Sequence, residues 1–331
     1  MRVVALEEHF TVPELVKKYI NPDAISARGF KPRKLAPGRV NPMELAPELG
    51  ERRLKSMDDA GVTVHVISNT GPGPDLVPGA DGVTLAKELN DRLAAMCAKN
   101  PKRFAGWAVM PMASPKDCAA ELKRAVKELG FVGAMINGTC EGRFLDNPVY
   151  DDLLAASVEL DVPVYIHPHL PPEPVRQAYY SDLPEGTGRV LESASWGWHS
   201  ETAIHVLRMV FAGTLDKHPK LKLIIGHMGE MLPVMLARVD ETSVAEVEHL
   251  KRPPSRQIID QVWITTSGIF NQPPFIAALQ TFGIDRIMFS VDYPYAPDAM
   301  GRKFLDEVAL APADIAKLTH GNADALLKLK A

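Results

Sequence analysis

The chain has 331 residues, 46% of them hydrophobic and 24% charged, which suits a soluble globular protein with a large core. Lys and Arg number 37 against 41 Asp and Glu, a formal charge of −4 with no basic stripe, so nucleic acid is not an expected partner. No apolar stretch approaches the roughly 18 residues of a membrane span, and Glu7, Glu8 and His9 interrupt any secretory h-region; a cytoplasmic protein is expected.

In chain order, the pattern alternates short buried strands with amphipathic helices. Val3–Leu6 reads as the first strand and is followed by a Pro-rich, basic excursion over about residues 11–49 (Pro32, Arg33, Lys34, Pro37, Arg39, Pro42), too irregular for one helix. Arg52–Ala60 is helical, with Gly61 as its C-cap, and Val62–Ser68 is a strand. Ala86–Lys99 reads as a helix and Phe104–Val109 as a strand. Ser114 and Pro115 look like the N-cap and first residue of a helix to Leu129.

Gly133–Ile136, Val162–Ile166, Leu221–Ile225, Val262–Thr265 and Ile287–Ser290 continue the strand series. Helices are expected at Val149–Leu160, Glu201–Phe211, Met231–Glu246, Pro274–Thr281, Pro312–Leu318 and Gly321–Lys328, and a loop over 168–195. About eight strand–helix units without a composition break predict an α/β fold, a single (β/α)8 TIM barrel spanning 1–331. The first strand–helix turn has no G-x-G-x-x-G, so a dinucleotide site has no support. The three cysteines (Cys97, Cys118, Cys140) lack metal-type spacing and read as reduced thiols.

Four strands end in metal-binding chemistry. The first ends Glu7-Glu8-His9, where positions i and i+2 share a face. The fifth ends His167-Pro168-His169, the sixth His227-Met228-Gly229-Glu230, and the eighth Asp292-Tyr293-Pro294. In a barrel all these ends open onto one mouth. Imidazole and carboxylate together suit a divalent ion, and the sequence does not choose between zinc and manganese.

The pattern Glu7-x-His9, His167-Pro168, Gly226-His227-Met228-Gly229-Glu230 and Asp292-Tyr293-Pro294 resembles the decarboxylase branch of the amidohydrolase superfamily. That branch includes gamma-resorcylate, 5-carboxyvanillate and aminocarboxymuconate semialdehyde decarboxylases. The likeness extends to Ala5–Phe10, Arg53–Gly61, Phe131–Gly138 and Glu201–Glu230. It leans toward the 5-carboxyvanillate type through Glu141–Asp146 and Asp292–Tyr295.

The resemblance implies one Zn²⁺ or Mn²⁺ held by Glu7, His9, His167 and Asp292. Asn137 stands where other amidohydrolases carry a carbamylated lysine, which implies a mononuclear centre. His227 would handle protons beside the ligands, and Glu230 would orient it. Asp292 would deliver a proton to the ring carbon bearing the carboxylate. The implied activity is non-oxidative decarboxylation of a hydroxylated benzoate-type acid. A metal-dependent hydrolase or hydratase of a small carboxylated lactone, amide or unsaturated acid is the alternative. Arg53 and Arg238 are candidate carboxylate binders, Arg238 across a subunit boundary of a homodimer or homotetramer. Phe10, Tyr293, Trp196 and His169 are candidate substrate contacts, as is the stretch Thr265–Gly268. His65, His205, His218, His249 and His320 have no partner pattern and read as structural or surface residues.

Overall fold

The computed structural model describes residues 1–30, 34, 35 and 37–329. Its strands are β1 (Val4–Phe10), β2 (Val64–Asn69), β3 (Phe104–Gly106), β4 (Ala108–Val109), β5 (Ala134–Asn137), β6 (Val164–His167), β7 (Leu223–Ile225), β8 (Val262–Thr265) and β9 (Ile287–Met288). Every ladder pair is parallel, in the orders β1-β2-β3 and β4-β5-β6-β7-β8-β9. β3 and β4 are the two halves of the strand expected over Phe104–Val109. At Trp107 the chain hands over from one neighbour to the other: Trp107 N donates to Ile67 O at 2.8 Å and Ala108 N to Gly133 O at 2.8 Å. The fold is an α/β (β/α)8 barrel.

Among the described residues no ladder joins β9 to β1. The seam is closed mostly by side chains. Leu6 N and Glu7 N donate to Ser290 Oγ at 3.2 and 2.6 Å, and Val291 N and Tyr293 N donate to the Glu8 carboxylate at 2.9 and 2.7 Å. One backbone bond, His9 N to Tyr293 O at 2.7 Å, adds to them.

The barrel interior is filled by Val4, Leu6, Val64, Val66, Trp107, Met135, Tyr165, Ile224 and Met288, with Leu326 and Leu327 of the helix Asn322–Leu327 packed against them. Strict alternation from Val4 and Leu6 would carry Glu8 inward and leave Glu7 and His9 outside. The β1–β2 register shifts between Ala5 and Glu8. This bulge reverses the alternation, so Glu7 and His9 face the interior at the strand's end. It also frees Leu6 O, which accepts the buried Trp107 indole N–H at 2.7 Å.

Several local expectations change. Among its described residues the excursion holds three short helices, Pro13–Tyr19, Pro22–Ala27 and Pro42–Leu45; Pro32 and Arg33 lie outside the described residues. The expected loop at 168–195 contains helices Glu173–Tyr180 and Thr187–Glu192, too short for a 3.6-residue period to register in sequence. A helix at Asp298–Glu307, hidden behind Pro294 and Pro297, was not expected. Ser114 does stand at the N-cap with Pro115 first in the helix, but its side chain makes no capping bond: its Oγ accepts Gly79 N at 2.9 Å and donates to Gly79 O at 3.2 Å. Gly61 and Gly130 do end their helices in the left-handed conformation, at φ 67° and 72°. All three cysteines are buried and free. Among the described residues no helix is long and apolar enough to cross a membrane.

His205, on the helix Gly197–Phe211, accepts Leu145 N at 2.9 Å through Nε2, pinning the 139–147 loop. Burial holds its imidazole down at about 3, against an ordinary 6.5. Below pH 6.5 the unfolded chain binds a proton that the folded chain refuses, so the stability His205 supplies is present above 6.5 and lost as pH falls. The expected slope is about 1.4 kcal/mol per pH unit per such group. Urea midpoints from pH 7 to pH 4.5 check this: His205→Gln, whose Oε1 can still accept Leu145 N, should flatten the decline. An unchanged slope would refute it.

Candidate metal centre

The ends of β1 and β6 and the segment after β9 bring Glu7, His9, His167 and Asp292 together, with one ligand-type atom of each lying within 4.8 Å of the others. His9 Nε2 is 3.2 Å from Asp292 Oδ1, and His167 Nε2 is 3.3 Å from Glu7 Oε1. Ser68 Oγ donates to Glu8 O at 3.2 Å, so at 2.9 Å from His9 Nδ1 it accepts that nitrogen's proton. The lone pair of His9 therefore sits on Nε2, facing the cluster. Glu7 Oε2 accepts from the Tyr165 hydroxyl and from Ser267 Oγ. Gly226 allows this close packing, because a Cβ there would stand 2.4 Å from Glu7 Oε2.

Two acceptor atoms are left over: Glu7 Oε1 and His9 Nε2 are buried without a hydrogen-bond partner. Such atoms each cost about 1–3 kcal/mol unless something meets them. A divalent cation among the four groups would satisfy both, and the two-imidazole, two-carboxylate donor set suits Zn²⁺ or Mn²⁺. Burial lowers His9 to about 4 and His167 to about 3, which keeps both neutral, as ligands must be.

Beside the cluster, His227 Nδ1 bonds Glu230 Oε1 at 2.9 Å, and its Nε2 lies 3.8 Å from Glu7 Oε1 and 4.0 Å from Asp292 Oδ2. Burial opposes charge on His227, but Glu7, Glu230 and Asp292 outweigh it and push the imidazole up to about 10. Burial, then Glu7, raises Asp292 well above the usual carboxylate range. Burial also opposes charge on Glu7, yet His227, His167 and His9 together hold it low. These directions belong to the protein groups alone; a divalent cation among them would pull Asp292 down. The backbone is also unusual here: His227, Met228, Glu230, Met231 and Asp292 adopt φ of 49°, 56°, 53°, 67° and 75°. Non-glycine residues rarely hold such angles, and they gather where the fold over-determines a site.

Other expected site residues sit elsewhere. Arg53 is fully buried, donating to His9 O and Glu48 O and stacking its guanidinium 4.6 Å over the Tyr293 ring. Through these bonds it braces the back of β1, while its Nη1 is buried without a hydrogen-bond partner. Arg238 is 65% exposed on the helix Leu232–Ser243 and pairs with Glu241. Phe10 packs in the layer between strands and helices, and Tyr293 under Arg53. Trp196 is 52% exposed. His169 is buried with both ring nitrogens unpartnered, its ring edge-on to Phe30 at 5.1 Å. Thr265 and Ser267, expected to face substrate, bond instead to Tyr165 and Glu7. Asn137 pairs in register with His167, and its Oδ1 is also unpartnered.

One participant escaped the sequence. His199, the third residue of the helix Gly197–Phe211, places Nδ1 2.6 Å from Glu230 Oε2 and Nε2 2.9 Å from Ala194 O. Glu230 is thus shared by two imidazoles. The only signal was a histidine directly after Trp196-Gly197-Trp198, too common a feature to read.

The pattern of the Amidohydrolase family matches residues 38–329. The orsB decarboxylase of Emericella nidulans is 36% identical over 99% of this chain and 97% of its own length. Gamma-resorcylate decarboxylase of Rhodococcus jostii is 35% identical over 98% of each chain. The structure of 5-carboxyvanillate decarboxylase from Novosphingobium aromaticivorans, complexed with manganese and 4-hydroxy-3-methoxy-5-nitrobenzoic acid, superposes with a TM-score of 0.88 at 32% identity, covering 99% of this chain and 96% of that one. These identities do not favour the carboxyvanillate type over the gamma-resorcylate type. Matched along nearly its whole length in sequence and in fold, the chain belongs to the amidohydrolase family.

Proposed function

We propose that this chain is a metal-dependent, non-oxidative decarboxylase of a hydroxylated benzoate, with Glu7, His9, His167 and Asp292 holding one Mn²⁺ or Zn²⁺. The observation that carries the reading is the convergence of these four groups around two orphaned acceptor atoms, with His227 and Glu230 alongside. When bound, the cation supplies Lewis acidity and a template for the carboxylate and its ortho hydroxyl.

The protein's own groups handle the proton. Decarboxylation replaces a ring C–COO⁻ bond with C–H and releases CO₂, so one proton must reach that ring carbon. Asp292 is placed to donate it, and His227, 4.0 Å away, is placed to replenish it. Glu230 holds His227 by Nδ1, which aims Nε2 at Asp292. His169 and Asn137, with unpartnered polar atoms at neighbouring strand ends, meet ring substituents. The enzyme acts in the cytoplasm as a homodimer or homotetramer, and Arg238 reaches a neighbouring subunit's mouth.

The test is a panel of ortho-hydroxybenzoates and carboxyvanillate-like acids with Mn²⁺- and Zn²⁺-loaded protein, followed by CO₂ release and phenol formation. Decarboxylation of at least one acid is expected. A new acid formed without gas, from lactone or amide substrates only, would sink the reading.

A further inference from the structure

Glu8 takes no part in the ligand cluster, yet it is fully buried at the seam between the first and last strands. Its Oε1 accepts Val291 N at 2.9 Å and its Oε2 accepts Tyr293 N at 2.7 Å, so one carboxylate grips the peptide N–H groups on both sides of Asp292. Ser290 Oγ donates to the same Oε1 at 3.1 Å and itself receives Glu7 N at 2.6 Å. Asp292 sits between these two anchors at φ 75°, a conformation an aspartate does not hold cheaply. From the same residue, Glu8 O accepts Ser68 Oγ, which in turn holds His9 Nδ1.

Two features stand directly behind Glu8. His65 Nε2 bonds Asp298 Oδ1 at 3.1 Å, both side chains being completely buried, and Ser56 Oγ donates to Asp298 Oδ2 at 2.6 Å. Those partners occupy Asp298, leaving Glu8 as the carboxylate that serves the 291–293 backbone. No ladder joins β1 to β9 among the described residues, so the grip of Glu8 substitutes for the strand pairing that would otherwise fix Asp292.

We infer that Glu8 is a positioning residue, which sets Asp292 against Glu7, His9 and His167 by clamping the two backbone amides that flank it. The inference rests on the reading of Asp292 as a metal ligand. Partners of this kind typically change metal affinity by 10–100-fold when removed. Gln at position 8 keeps the size but turns an N–H toward one of the two amides, so one grip is lost.

The experiment is a double-mutant cycle on Mn²⁺ affinity, measured by calorimetry with wild type, Glu8→Gln, Asp292→Asn and the double variant, without reference to turnover. Glu8→Gln is expected to weaken Mn²⁺ about tenfold, and to add no further loss in the Asp292→Asn background, because the clamp acts through that side chain. An equal loss in both backgrounds would make Glu8 merely structural and overturn the inference, as would a folded Glu8→Gln protein with wild-type affinity. If Asp292→Asn alone leaves Mn²⁺ affinity unchanged, the ligand reading fails first and takes the inference with it. Should Glu8→Gln fail to fold, Glu8→Asp is put through the same cycle; it retains the charge but, one methylene shorter, cannot reach both amides, and the same outcomes apply.

Discussion

Asp292→Asn is expected to lower kcat by about 10³-fold or more while leaving the fold intact. Asparagine keeps the shape and one oxygen, but it removes the group that the proposed mechanism uses both as an anionic ligand and as the acid that protonates the ring. General acid catalysis alone is worth roughly 10²–10⁴-fold, so the combined loss lies at or beyond the upper part of that range. The fold should survive because the backbone at 291–293 is held by Glu8 and Ser290, not by the Asp292 side chain. Thermal melting and elemental analysis alongside the rate measurement separate the two losses. A variant that keeps more than a tenth of wild-type kcat would remove Asp292 from the proton-transfer step.

Stripping the metal is expected to abolish turnover and to lower stability together. Glu7 Oε1 and His9 Nε2 are buried without partners, so the apoprotein carries that desolvation cost in its core. Binding to the folded chain alone adds about 2.7 kcal/mol of stability at a metal concentration 100 times Kd. Chelation should therefore depress Tm, and titration with Mn²⁺ should restore Tm and activity over the same concentration range. Full activity after exhaustive chelation would exclude the metal-dependent reading. Restoration by Zn²⁺ but not Mn²⁺ would settle the ion.

Much of the site was legible because barrel geometry sends every strand end to one rim. Glu7, His9, His167, His227 and Asp292 each follow an apolar strand run, and that position alone predicts convergence. Arg53 reads as a substrate binder because a guanidinium looks the same in sequence whether it faces substrate or braces a backbone. Arg53 donates to His9 O and Glu48 O, a role set by how the helix Glu51–Ala60 packs on β1. His199 and Glu8 were missed for a related reason. Their partners, Glu230 and the amides of Val291 and Tyr293, lie 31 and more than 280 residues away in sequence.

Hydrophobic periodicity, the glycine helix ends and the chemistry at the strand ends were settled by the sequence alone, since each depends only on neighbours a few residues apart. It took tertiary packing to decide which face of β1 turns inward: the bulge between Ala5 and Glu8 arises where β1 must pair with β2 and meet Trp107 and Ser290 at once. Without that shift of one residue, Glu8 would occupy the interior and the candidate ligands Glu7 and His9 would point away from it. Likewise only the closed barrel places Glu8 where it can hold Asp292, because contact between the first strand and the last is a property of closure and leaves no trace in local sequence.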